Sequence, residues 1–312
     1  MAHIPVLLKE VIENLNVNAG SKFVDATIGS GGHTIEILKT NPAAKVLGID
    51  LDQTSLGKLR ERLTHESLVQ SVILVQGNYR DIDKIIDETD FGLVDGIVLD
   101  LGFSSEQVDD EKRGFSFQSN AELDMRFDQS QSKTAKEILQ TYSPKDLEKI
   151  LMDYSEDRFS KRIAALIVQA RKENHMNTTL DLAEAVKKAI PLPLRFRAND
   201  SIRRVFQAIR IEVNDELENL KAFLSKALKA LNPQGRLCVI SFHSLEDRIV
   251  KEYFNQEARD CVCPPQFPTC ICDKASTLRI LTRKPIVAGI EEQEINPRSK
   301  PAKLRVAEKI KN

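Results

Sequence analysis

The sequence predicts an α/β fold in which a parallel sheet is interrupted by an inserted helical domain. Three observations carry this expectation. Phe23 to Asp52 reads as strand, glycine turn, helix, strand and acid, the order of a Rossmann-like βαβ unit. Strand and helix patterns keep alternating as far as Asp100. From Ser104 to about Arg210 only helical patterns appear, and the strands resume at Gly235. The sheet domain is thus expected to comprise residues 1–103 and 211–312, with 104–210 inserted.

Phe23 to Ala26 is short, apolar and ended by turn residues, as a buried parallel strand should be. Gly29, Gly31 and Gly32 follow, letting the backbone turn tightly and come close to a ligand. Thr34 to Leu38 begins a helix, and Lys45 to Ile49 forms the second strand with Asp50 at its carboxyl end. An acid 21 residues after Gly29 is placed to accept hydrogen bonds from a ribose. The third glycine of a G-x-G-x-x-G dinucleotide fingerprint is missing, and no G-x-x-x-x-G-K-[ST] loop occurs. The pattern suits an adenosyl group without a pyrophosphate, and S-adenosyl-L-methionine is such a ligand. The alternative is a crossover whose glycines serve only the turn.

Leu56, Leu59 and Leu63 mark the next helix, and Val72 to Val75 the third strand. Tyr79 follows that strand, where an adenine ring can lie against it; a core tyrosine is the other reading. Val94 to Leu99 is the fourth strand, ending in Asp100. Open parallel sheets bind ligands at the carboxyl ends of their strands, and Asp50, Tyr79 and Asp100 all fall there.

Within the insertion, helical spacing covers Ala135 to Leu139, Pro144 to Met152, Phe159 to Arg171 and Leu180 to Ala189. Asp200 or Ser201 is expected to cap the helix whose apolar face is Ile202, Phe206, Ile209 and Val213. Gly235 to Phe242 is the fifth strand, and Ser244 to Asp247 resembles a capping box opening another helix. Leu278 to Arg283 and Lys303 to Glu308 are the last strands.

Composition allows a packed core, with 41% hydrophobic and 29% charged residues. No apolar run approaches the roughly 20 residues that span a bilayer. Lys9 and Glu10 interrupt the N-terminal run too early for a secretory signal, so a cytoplasmic protein without a membrane partner is expected. Net charge is −1, but its distribution is uneven. Asp81 to Asp128 holds 14 acids and 4 bases, whereas Lys274 to Asn312 holds 10 bases and 4 acids. A basic tail beside an acidic centre can form a footprint for RNA, or simply a solvated surface.

Six segments, DATIGSGGH, DLGFSS, RGFSF, LDMR, RRVFQAIRIEVNDEL and SFHSLEDR, occur in order and suitably spaced. Together they resemble the bacterial small-subunit ribosomal RNA cytosine-N4 methyltransferases, the MraW family. The resemblance runs from His3 to the C-terminus and implies a class I S-adenosylmethionine-dependent methyltransferase fold. It implies a cytoplasmic enzyme that methylates the exocyclic N4 amine of a decoding-site (P-site) cytidine in 16S ribosomal RNA. Its partner would be that RNA in the small ribosomal subunit or its precursor; monomer and homodimer are both open. The cofactor positions carried over are Gly31, Gly32, His33, Asp50, Tyr79, Asp100 and Gln107. The family often has phenylalanine where Tyr79 stands.

Cytosine N4 is a poor nucleophile because its lone pair is delocalised into the ring. Asp100 is the catalytic candidate, an acceptor for the amine hydrogens. Many amino-methyltransferases carry two prolines after such an acid; Asp100-Leu-Gly-Phe103 lacks them, which leaves a purely cofactor-binding role open. For the splayed-out base and its phosphates, Arg113, Phe115, Phe117 and Arg126 are candidates, with a core role for both phenylalanines as the alternative. Arg203 and Arg210 either contact RNA or pair with acids such as Asp124, and His243 is assigned a structural or substrate-positioning role. Cys261, Cys263, Cys270 and Cys272 are possible zinc ligands, but their C-x-C spacing departs from the common one and favours a metal-free, proline-rich loop. The competing functions are methylation of another RNA position or of a protein amine, and a non-catalytic RNA-binding assembly factor.

Overall fold

The computed structural model describes residues 5–102, 110–264, 270–272 and 274–310. His3 and Gln107 lie outside them. The chain divides into two compact units, residues 1–102 with 217–312 and residues 103–216.

The first unit is built on one sheet whose strands, among the described residues, run in the order β3-β2-β1-β4-β5-β8-β6. These are β1 (Lys22–Asp25), β2 (Lys45–Asp50), β3 (Val72–Gln76), β4 (Val94–Asp100), β5 (Leu231–Ser241), β6 (Leu278–Ile280) and β8 (Lys303–Lys309). The short β7 (Ile286–Val287) pairs with β8. The first five strands are parallel to one another. The strands after β5 are antiparallel, so the sheet closes on a return strand rather than on another crossover. Strand order reverses between β1 and β4, the point where doubly wound sheets open a crevice. Register sets the end of each strand: Asp25 lies opposite Val98, Asp50 opposite Gln76, and Asp100 opposite Ile240.

Helices cover this sheet through the stripes that the sequence displays. They include α1 (Leu8–Leu15), α2 (Gly32–Thr40), α3 (Gln53–His65) and α4 (Ile82–Glu88). In α3, Leu56, Leu59 and Leu63 are all buried, and Asp52 caps its start by accepting from the N–H groups of Thr54 and Ser55. The unit's central core joins Val24, Leu47, Ile97 and Val239 from the sheet to Leu220, Phe223 and Leu224 from a later helix.

The second unit is helical. It contains α5 (Ala135–Thr141), α6 (Pro144–Ile150), α7 (Ser160–Lys172), α8 (Thr179–Ala189) and α9 (Ala198–Asn214). Their buried faces share one core that includes Ile138, Leu147, Ile163, Ile167, Val186, Val205 and Ile209. The helix read from Pro144 to Met152 gives way to a wider π turn over Leu151–Ser155. Helix α9 runs without a break through Arg210 and ends at Asp215, in a left-handed conformation. Its buried residues Val205, Phe206, Ile209 and Val213 belong to the helical core, which moves the boundary expected near 210 to 216/217. Helix α10 (Glu216–Ala230) follows at once, then β5, α11 (Ser244–Glu257) and α12 (Ile290–Ile295).

Two cap assignments are corrected. Helix α9 begins at Ala198, upstream of both Asp200 and Ser201, with no side-chain cap. The box expected on Ser244 and Asp247 sits one residue earlier. His243 caps α11, and Glu246 accepts in return from the His243 N–H.

Candidate active site

The glycine turn and two strand ends build the first half of the site. Gly31 has φ of +79° and occupies the residue before α2; a Cβ there would collide with the Leu59 side chain. Helix α2 therefore starts abruptly at Gly32, and its first N–H groups lie at the turn where an anion or a polar ligand group can meet them. His33 is 5% exposed, and its Nε2 lies 3.1 Å from the Val6 carbonyl oxygen, so its ring fastens the N-terminal segment. Asp50 Oδ2 accepts from Gly29 N–H at 2.8 Å, and Oδ1 accepts from Asp52 N–H at 2.8 Å. Burial raises the Asp50 pKa against these two backbone donors. Each oxygen keeps a further lone pair for a hydroxyl.

Tyr79 follows β3 and is half-buried, its ring held at right angles to Phe223 with centroids 5.5 Å apart. That fixes the ring plane at the rim of the sheet's carboxyl edge.

The other half is a set of acids. Asp25 ends β1 and is buried; Thr34 Oγ1 donates to its Oδ2 at 2.8 Å, while Oδ1 has no hydrogen-bond partner among the described residues. Burial pushes the Asp25 carboxyl up from 3.8 to about 6. Asp100 ends β4, where its N–H donates to Thr27 Oγ1 at 2.7 Å. Its Oδ1 is buried and likewise without a partner among the described residues. Burial, and then the carboxylates of Asp25 and Glu246, hold its pKa well above the ordinary value. Glu246 is 2% exposed and accepts from Phe242 N–H at 2.8 Å, while its Oε1 lies 3.1 Å from His243 Nε2. The His243 ring accepts from Glu246 N–H through Nδ1 at 3.4 Å at the start of α11, while its buried Nε2 makes no hydrogen bond among the described residues.

Buried acids with orphaned oxygens, at the ends of the two strands where the order reverses, call for a cationic ligand. S-adenosylmethionine carries a sulfonium and an ammonium, and the residues present fit it. The glycine turn offers backbone N–H groups, Asp50 carboxylate acceptors, Tyr79 an aromatic face, and Asp25 and Asp100 anionic oxygens. The roles of Asp25 and Glu246 were missed in the sequence, although both stand inside quoted segments. An acid on the last residue of the first strand was the available signal for Asp25; Glu246 gave none that set it apart from the neighbouring Asp247.

The candidates for RNA contact in the second unit make many contacts among themselves and with their neighbours. Arg113 is buried, and its Nη2 donates to the carbonyls of Arg126 (2.8 Å) and Phe127 (3.2 Å). Arg126 forks onto Asp124 at 2.7 and 2.8 Å and reaches the Gln129 and Gln131 carbonyls. Phe115 stacks on Phe127 with centroids 5.7 Å apart, and Phe117 meets Phe206 edge-on at 5.8 Å. Both phenylalanines are partly buried and pack against the helical core, in line with the core reading offered as the alternative. Arg210 is buried and bidentate with Glu216, at 2.8 and 3.0 Å; Asp124, its suggested partner, belongs to Arg126. Arg203 alone of this group stays well exposed, 3.6 Å from the equally exposed Asp200.

Part of the basic tail is also paired with acids. Arg305 and Lys303 contact Asp247, Arg279 contacts Glu308, and Lys274 contacts Glu257. Arg283, Lys284 and Lys300 remain exposed. No helix among the described residues is long and apolar enough to cross a membrane.

Curated relatives agree with this geometry. The chain is 44% identical over 309 residues to the ribosomal RNA small subunit methyltransferase H of Finegoldia magna, covering 99% of this chain and 98% of that one. It is 47% identical over 309 residues to the protein of the same name from Lachnospira eligens, with the same coverage. The Carboxydothermus hydrogenoformans protein of that name is 46% identical over 309 residues, again covering 99% and 98%. The model of the MraW methylase family matches residues 1–310, and the chain belongs to that family of S-adenosylmethionine-dependent methyltransferases.

Proposed function

We propose that this chain methylates the exocyclic N4 amine of a cytidine in 16S ribosomal RNA, at the decoding (P) site of the small subunit or its precursor. The RNA follows the names of its relatives, and the choice of an amine follows the family resemblance of the six segments. The observation that carries the reading is the pair of orphaned carboxylate oxygens on Asp25 and Asp100. A pure RNA-binding factor would have no use for buried acids, which repel phosphate and cost stability.

When bound, the cofactor supplies a methyl group already activated by its sulfonium. The chain's own residues orient the partners. Asp50 fixes the ribose through hydroxyl donors, with its carboxylate pre-aimed by Gly29 and Asp52. Asp25 and Asp100 balance positive charge in a dry pocket, where such contacts count for more than in water. Asp100, once ionised, accepts an N–H of the amine and turns the nitrogen lone pair out of conjugation. The proton on nitrogen leaves after methyl transfer, so His243 is not needed as a base. Most of the acceleration is positioning.

The helical unit selects the RNA. With Phe115, Phe117, Arg113, Arg126 and Arg210 committed inside it, the exposed Arg203 is its candidate for contact, and Arg283, Lys284 and Lys300 those of the tail. The protein works in the cytoplasm, where ribosomal RNA is assembled. The test is methyl transfer from labelled cofactor to 16S RNA or small subunits, followed by nucleoside mass spectrometry. N4-methylcytidine is expected. Label in another nucleoside, or in protein, would overturn the N4 assignment.

A further inference from the structure

Four of the five cysteines lie in the loop between α11 and β6. They form two short arms, Cys261-Val262-Cys263 and Cys270-Ile271-Cys272. The structure brings the four sulfurs together. Sγ of Cys270 lies 3.5 Å from that of Cys272, Cys272 lies 3.8 Å from Cys261, and Cys263 lies 4.0 Å from Cys270. All four fall within 4.8 Å of one another.

These separations have a physical meaning. Four thiolates at about 2.3 Å from one zinc ion stand at the corners of a tetrahedron with edges of about 3.8 Å. A disulfide would need about 2.05 Å between two sulfurs, and all four cysteines are free thiols.

Backbone N–H groups also point at the sulfurs, in a reciprocal pattern. Val262, in the middle of the first arm, donates to Cys272 at 3.4 Å; Ile271, in the middle of the second, donates to Cys263 at 3.4 Å. Cys263 N–H donates to Cys261 at 3.3 Å. Such bonds favour charged sulfur and fix its direction, as outer partners of metal ligands do.

Hydrophobic burial does not explain the convergence. Val262 is 52% exposed and Ile271 66% exposed, so the apolar residues of both arms face solvent. The loop is closed at its base by Thr277 N–H donating to the Glu257 carbonyl at 2.9 Å, and by Ser276 N–H donating to Asp260 at 3.2 Å. Beyond that closure no buried residue supports the arms among the described residues.

We propose that Cys261, Cys263, Cys270 and Cys272 bind one zinc ion as a structural clip. All four coordination positions come from the protein, which leaves none for substrate or water. Each thiol releases its proton to solvent on ligation, and no electron is transferred. The favoured metal-free reading of the spacing C-x-C is thereby replaced: the unusual spacing is served by the cross-arm N–H bonds.

The test uses the full chain, reduced and stripped of metal, titrated with cobalt(II) alone. One equivalent should give the intense visible bands and the sulfur charge-transfer band of tetrahedral cobalt thiolate, and zinc(II) should bleach them. Metal analysis of protein purified with zinc present should find one ion per chain. The double variant Cys263→Ser/Cys270→Ser, one change in each arm, should lose both signals while its far-ultraviolet circular dichroism stays that of the parent. A weak octahedral cobalt spectrum in the unaltered chain, or equal metal content in chain and variant, would overturn the proposal. So would disulfide-linked peptides joining the two arms in protein isolated without metal.

Discussion

Asp50 reaches back 21 residues along the chain to Gly29, accepting its backbone N–H at 2.8 Å. The bond ties the carboxyl end of β2 to the turn after β1. Its consequence is rigidity at the position proposed for the ribose: the carboxylate is aimed before any ligand arrives, so little ordering remains to be done on binding.

Replacing Asp50 by alanine should weaken S-adenosylmethionine binding by ten- to a hundredfold. Two charge-assisted bonds to ribose hydroxyls are lost, each worth about 1.5–3 kcal/mol, less what water returns. Titration calorimetry measures the change, with circular dichroism confirming the fold. An unchanged affinity would remove the ribose assignment.

Asp25 makes a prediction about pH. Its pKa is about 6 in the fold against 3.8 ordinarily, because burial disfavours the charge. Between pH 4 and 6 the native protein therefore holds a proton that the unfolded chain has lost, and stability from this group falls as pH rises. The loss is of order 3 kcal/mol once the pH is above the native value. In Asp25→Asn that loss is absent. The stability of the variant relative to the parent, from urea unfolding without ligand, should climb between pH 4 and 6.5 and then level. Cofactor affinity of the parent should rise over the same interval, because a cation binds the ionised acids. A stability difference that falls with pH would mean that Asp25 is stabilised as an anion.

Much of the sheet, and of the acids at its strand ends, could be read from the sequence because the signals are local. Glycine turn, strand and acid follow one another within thirty residues, and the apolar runs on either side dictate a parallel sheet. The RNA side read less well, for a physical reason. Arg113, Arg126 and Arg210 look alike in a sequence whether they face solvent or a carbonyl, and their partners stand elsewhere in the chain. Asn214 shows the difficulty: it accepts from Phe127 N–H at 2.7 Å and donates to the Met125 carbonyl at 2.8 Å, across more than eighty residues. The segments RGFSF, LDMR and RRVFQAIRIEVNDEL are thus linked by one polar network, which the chain order conceals. The cysteines differ again, since their spacing shows nothing of the cross-arm N–H groups that accompany the convergence of the four sulfurs.

The buried Arg210–Glu216 pair predicts a stability effect at a residue for which RNA contact and an acid partner were both open. Removing one partner strands the other charge, at a cost of about 3–5 kcal/mol. Arg210→Met should therefore lower the unfolding midpoint sharply, and Arg210→Met/Glu216→Leu should recover most of the loss. Thermal unfolding of the single and double variants checks this. If Arg210→Met keeps the parent midpoint and loses only RNA affinity, the arginine serves RNA after all.

The last prediction separates the two units. The core clusters of the first unit draw only on residues 6–101 and 220–307. The helical unit has a cluster of its own, from Leu123 to Val213. Each thus buries apolar surface that it supplies itself, which is what lets a domain fold alone. Asp25, Asp50, Tyr79, Asp100 and Glu246 all belong to the first unit. Replacing residues 111–216 by a short flexible linker keeps Gln107 and every one of those side chains. The shortened chain should bind S-adenosylmethionine within about tenfold of the parent, or roughly 1.4 kcal/mol. Methyl transfer to 16S RNA should vanish, because the exposed face carrying Arg203 has gone with the helices. Calorimetry and labelled-methyl transfer on the same preparation give both readings. Methylation at the usual nucleoside by the shortened chain would show that the first unit reads its own substrate, and the division of labour would be wrong.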